Sequence, residues 1–128
     1  MKEAGGEHIR SLQEQGGFVM ILDFPGMEEQ EVEHFKGGDG NVFVKMTFDG
    51  MNRIGIGRLP VGSSIGMHTH ETNSEIFYVS SGKARVVYDG KEETVLPGQM
   101  HYCPKGHAHA TYNDGPEDLV IFMVVPEQ

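Results

Sequence analysis

The stretch Gly62–Gly82, GSSIGMHTHETNSEIFYVSSG, decides how this chain folds. His68-Thr69-His70 places two imidazoles two residues apart. In an extended chain that spacing puts both on one face, roughly 7 Å apart along the strand, so both rings can turn toward a single ion. After Glu71-Thr72-Asn73-Ser74 comes Glu75–Ser81, EIFYVSS, whose alternation predicts a strand with Glu75, Phe77 and Val79 on one face. A carboxylate sharing a face with two core side chains must be paired or must coordinate a metal. A hairpin over residues 71–74 is expected to return Glu75 to the two histidines.

The rest of the chain is also cut into short alternating pieces. Val42, Val44, Met46 and Phe48 alternate with Phe43, Lys45 and Thr47, and after the Asp49-Gly50 turn Ile54, Ile56 and Arg58 share a face opposite Gly55 and Gly57. Ala84–Tyr88 follows Gly82-Lys83, and Asp89-Gly90 turns it into Lys91–Leu96. Pro97-Gly98 leads into Gln99–Cys103, Pro104-Lys105-Gly106 into His107–Asn113, and Asp114-Gly115-Pro116 ends that piece. Leu119–Val125 is apolar at every position, which predicts a strand buried on both faces. Phe18–Phe24 reads as a further strand, Gly6–Gln13 as the one helix candidate, and residues 27–41, acidic and then glycine-rich, as an exposed connection. Many short strands with a turn every few residues predict an all-β sandwich or barrel.

Composition bounds the function. The chain has 128 residues, a length that favours one domain, with 38% hydrophobic and 23% charged residues, ordinary globular usage. Ten Lys+Arg against 19 Asp+Glu give a charge of −9, which argues against nucleic-acid or anionic-membrane partners. The single cysteine, Cys103, excludes an internal disulfide framework and fits a reducing compartment, so a cytoplasmic location is expected. Residues 1–16 lack a basic start followed by an apolar stretch, so no signal peptide is expected, and the seven-residue run Leu119–Val125 is too short to span a bilayer.

Gly62, His68, His70, Glu75 and Gly82 stand at the spacing of the first cupin motif, and Gly98, Pro104, Gly106, His109 and Asn113 at that of the second. The chain therefore resembles a small single-domain cupin. The resemblance implies a double-stranded β-helix, the jelly-roll cupin barrel, over residues 41–128, with residues 1–40 as an N-terminal arm and connection. It implies one divalent metal per chain held by His68, His70, Glu75 and His109; the motif spacing picks His109 over His107, which would share its strand face and stand at the pocket mouth. Gly62, Gly82, Gly98 and Gly106 correspond to turn positions and Asn113 to a structural one.

Three imidazoles and a carboxylate suit Mn(II) or Fe(II), our first expectation, and also Zn, Ni or Co. Four protein ligands on an ion that prefers six would leave about two positions for a small oxygen-rich ligand such as a carboxylate, sugar or diketone. Strand parity offers Phe48, Ile56, Arg58, Phe77, Tyr102, His107 and Phe122 as pocket residues, with Arg58 as the cation for an acidic ligand. Oxalate decarboxylases resemble the ligand set but typically carry an arginine three positions before the first motif histidine, where this chain has Ile65. Two functions are expected to compete: a small metalloenzyme, or a binding and sensing module whose metal anchors a ligand. Small cupins are commonly homodimers, and Phe18–Phe24 is the expected arm onto a partner's sheet.

Overall fold

The computed structural model describes residues 20–128. It contains ten strands: β1 Gln30–Glu33, β2 Asn41–Phe48, β3 Asn52–Leu59, β4 Ser64–Thr69, β5 Glu75–Ser81, β6 Ala84–Tyr88, β7 Lys91–Val95, β8 Met100–Cys103, β9 Ala108–Tyr112 and β10 Leu119–Pro126. They form two antiparallel sheets, one ordered β1-β2-β3-β10-β5-β8 and the other β4-β9-β6-β7. This is the all-β architecture expected from the alternation, in the jelly-roll form that the cupin resemblance implies. Among the described residues no helix is long and apolar enough to cross a membrane.

The core lies between the sheets. Val42, Leu59, Phe77, Val79 and Ile121 enter it from the six-stranded sheet, and Ile65, Val86 and Val95 from the four-stranded one. Turn chemistry punctuates the strands as read. Asp89 and Gly90 both hold positive φ (50° and 74°), the pairing a tight two-residue hairpin requires. Gly62, Gly82, Gly98 and Gly106 also hold positive φ. Asn113, buried, donates to Leu59 O and Glu117 O and accepts from the Gly115 N–H, so its amide ties three backbone segments together.

Four expectations need correction. Within Phe18–Phe24 the described part, from Met20, forms no strand, and Phe24–Gly26 is a 3-10 turn with Pro25 near its start. Proline lacks the N–H a ladder needs. The β2 edge is instead taken by β1, inside the supposed connection, a mostly polar strand that buries only Val32. The helix candidate Gly6–Gln13 lies outside the described residues. On β3 the inward positions are the glycines: a Cβ on Gly55 would lie 2.4 Å from Lys45 O and one on Gly57 3.0 Å from the Met123 methyl. Ile54, Ile56 and Arg58 therefore face outward. Finally, β10 buries only every second residue: Leu119, Ile121, Met123 and Val125 point into the core, while Phe122 and Val124 are exposed.

Candidate metal centre

His68 lies on β4, His70 just beyond its end, Glu75 at the start of β5 and His109 on β9. β4 and β9 pair so that His68 stands opposite His109, and the His70 N–H donates to His107 O at 3.0 Å, extending that ladder past the strand end. β5 belongs to the other sheet. Residues 71–74 are thus a crossing between sheets rather than the expected hairpin, and Glu75 meets the histidines face to face across the barrel. The geometry needs both sheets: one presents the imidazoles, the other the carboxylate.

The donor atoms of His68, His70, Glu75 and His109 lie within 4.8 Å of one another. Glu75 Oε1 is 3.1 Å from His70 Nε2, 3.0 Å from His109 Nε2 and 4.0 Å from His68 Nε2, and the two nearer nitrogens are 3.0 Å apart. All but His68 are buried. The far side of each ring is already committed. His68 Nδ1 donates to Gly66 O at 2.7 Å. His70 Nδ1 donates to Asn73 Oδ1 at 2.6 Å, and the Asn73 amide is oriented by its own donation to Glu127 at 2.8 Å. His109 Nδ1 faces His101 Nε2 at 3.0 Å. Neutral rings held this way turn their Nε2 lone pairs toward Glu75.

The electrostatics follow from that convergence. Burial pushes His68 down to about 4, because a cation there would lose its hydration. Burial also opposes a charge on His70, but hydrogen bonds with Glu75 and Asn73 outweigh it and raise its pKa. Burial likewise opposes ionised Glu75, yet its close contacts with His109 and His70, either of which can donate to it from Nε2 when that atom carries a proton, hold its carboxyl well below the usual range. Several lone pairs and a carboxylate packed this closely repel one another unless a cation stands among them, and a proton on His70 answers the same field that a metal ion would. The donor set therefore fits a divalent metal, with oriented outer partners of the kind metal-bound histidines keep.

A cavity of about 480 Å³ opens onto these four residues. Its apolar walls include Met46, Phe48, Ile65 and Met123, and Lys36, Arg53, Glu71 and Glu127 also border it. Of the pocket residues expected from parity, Phe48 lines it. Ile56, Arg58, Tyr102 and Phe122 lie on outward faces: Arg58 is paired with Glu29 at 2.9 Å and Asp118 at 3.3 Å and lies over the Phe43 ring, while Tyr102 and Phe122 are exposed. Phe77 is core, its ring 5.2 Å from His101. His107 is exposed and held by Asp89 at 2.9 Å. Sequence reasoning missed Lys36, Arg53, Asn73 and His101. For His101 a signal existed, since it shares strand parity with buried Cys103 on β8, but the β5–β8 register that sets it opposite Phe77 was not readable.

Comparison with known proteins agrees with this architecture. A model of the cupin domain matches residues 55–125. An oxalate-binding protein from Thermotoga maritima is 26% identical over 115 residues, which cover 85% of this chain and 95% of the relative. The crystal structure of a predicted oxalate decarboxylase from Thermotoga maritima superposes with a TM-score of 0.80 at 25% identity, over 85% of this chain and all of that one. The Schizosaccharomyces pombe Cnp3 cupin domain, at 15% identity, shares the fold with a TM-score of 0.72 over 86% of this chain and 75% of its own. The matched segment spans more than half of the chain and contains both histidine-bearing motifs, so the chain belongs to the cupin-domain family.

Proposed function

We propose that His68, His70, Glu75 and His109 hold one divalent ion, Mn(II) or Fe(II) in the cell, and that the protein is a small metalloenzyme acting on a small carboxylate bound beside it. The observation that carries this reading is the convergence of three imidazole nitrogens on one buried carboxylate oxygen, each ring already fixed from behind. When bound, the metal would supply a Lewis-acidic or redox-active centre with positions open to oxygen ligands. The chain's own residues do the remainder. Glu75 offsets part of the cation's charge. Gly66 O, Asn73 and His101 keep the rings oriented. The Met46, Phe48, Ile65 and Met123 walls exclude water from the inner end of the cavity.

A second reading, a binding module without turnover, is favoured by the name of the Thermotoga maritima oxalate-binding relative. Calorimetry with oxalate on Mn(II)-loaded and metal-stripped protein, followed by product and dioxygen analysis, tests both. Binding confined to the loaded protein supports the shared core of the two readings. A product, or dioxygen uptake, selects the enzyme. Equal binding with and without metal refutes both.

A further inference from the structure

The connection between β1 and β2, residues 34–40, lies against β4, the strand that leads into the histidine pair. Two of its residues hold left-handed backbone without being glycine: His34 at φ 47° and Lys36 at φ 55°. Such conformations persist only where the surroundings impose them, and they concentrate at functional sites. Here the surroundings are specific. The His34 N–H donates to Gly40 O, the Gly38 N–H to Phe35 O, and His34 Nδ1 to Gly38 O. Across to β4, the Asp39 N–H donates to Ser64 Oγ at 2.8 Å and the Ser64 N–H to Asp39 O at 3.0 Å. A Cβ on Gly66 would stand 2.1 Å from Lys36 O, so only glycine lets the loop come this close.

Core packing does not account for the strain at Lys36, which is half-buried and lines the metal cavity. Its ammonium lies over the Phe35 ring, 5.8 Å from the centroid, and Phe35 lines the same cavity. A lysine so placed works against a divalent cation in the same cavity unless an anion joins them. The other charged groups bordering the cavity leave that conclusion standing. Arg53 and Glu127 act on one another with opposite sign, Glu127 being also bound by Asn73 and Thr72. Glu71 is exposed to water, where its charge is screened. A divalent ion less the charge of Glu75, with Lys36 added, calls for a ligand carrying two negative charges.

Size narrows the class further. Oxalate has only six non-hydrogen atoms. Even at the roughly 30 Å³ that a whole water occupies in the liquid, those would fill less than half of the cavity. We propose that Lys36 is a ligand-recognition residue, its ammonium receiving the distal carboxylate of a dicarboxylate longer than oxalate whose chelating end lies at the metal. The inference rests on the metal-and-carboxylate reading above and adds to it the class of ligand.

Racemic malate and lactate test it, because they share a 2-hydroxy acid head and differ by one carboxylate. Calorimetry is run on Mn(II)-loaded wild type, Lys36→Gln and Lys36→Gly, with metal content measured in each; glycine tolerates the left-handed backbone and so guards against a folding artefact. Wild type is expected to bind malate at least about tenfold more tightly than lactate, the scale of one charge-assisted hydrogen bond. Both variants are expected to lose that preference while keeping their metal content and lactate affinity. Wild type without a preference, or variants that keep it, would overturn the role of Lys36 and leave oxalate binding untouched. If neither acid nor oxalate binds in a metal-dependent way, this inference falls together with the reading beneath it.

Discussion

His101 shows what a single residue contributes to this site. It is buried, stacked on His109 with ring centroids 5.1 Å apart, and flanked by Phe77 and Tyr88. By accepting from His109 Nδ1 it keeps the Nε2 lone pair aimed at Glu75. Burial, reinforced by the neighbouring His109, lowers its pKa and keeps it a neutral acceptor. His101→Phe preserves the ring packing and removes the acceptor. Chelator competition should then show metal affinity about 10- to 100-fold weaker, the usual cost of losing such an outer partner, with unchanged far-UV circular dichroism. Unchanged affinity would mean that His101 only fills space. Of the four converging residues, His68, His70 and Glu75 were legible because their spacing is local and chemically unusual, and His109 only through its place in the second cupin motif. The residues behind and around them were not, because side chains such as Lys36 and His101 reach the site only through strand pairings that leave no mark in one sequence. Arg58 shows the opposite failure: an inward-pointing cation read from alternation turns out to serve an outer-face pairing with Glu29 and Asp118.

At the scale of elements, strands with strong turns were readable and their orientation was not. Asp89-Gly90 and the motif glycines placed β5 through β9 nearly to the residue, since positive φ leaves few residue choices. For β3, apolar Ile54 and Ile56 were assigned inward, whereas the space under the sheet is already filled by Met46, Ile121 and Met123, so glycine faces in. Gly55→Val would press a branched side chain onto Lys45 O and Met46. It should cost about 1–3 kcal/mol, seen as a lowered midpoint in chemical denaturation, as overpacking of a filled interior does. A variant as stable as wild type would show that β3 is not packed as described. The strand β1 was missed because its polar sequence resembles a loop, and Phe18–Phe24 was overread because an apolar run carries no information about which edge is free to pair with it.

For the molecule as a whole, the two sheets and the site are one construction. The imidazoles come from one sheet and the carboxylate from the other, so the ion would cross-link them. Anything that binds only the folded state stabilises it by mass action, about 2.7 kcal/mol when free metal is a hundredfold above the dissociation constant. The central claim is that these four side chains grip one ion, and it is tested most directly by loading wild type and His70→Ala with Mn(II), removing free metal by gel filtration, and measuring metal per chain. The account predicts about one ion per wild-type chain, as expected of a single closed ligand set. It predicts far less in the variant, with its strand content intact by circular dichroism. Equal metal in the two proteins, or none in either, would contradict it.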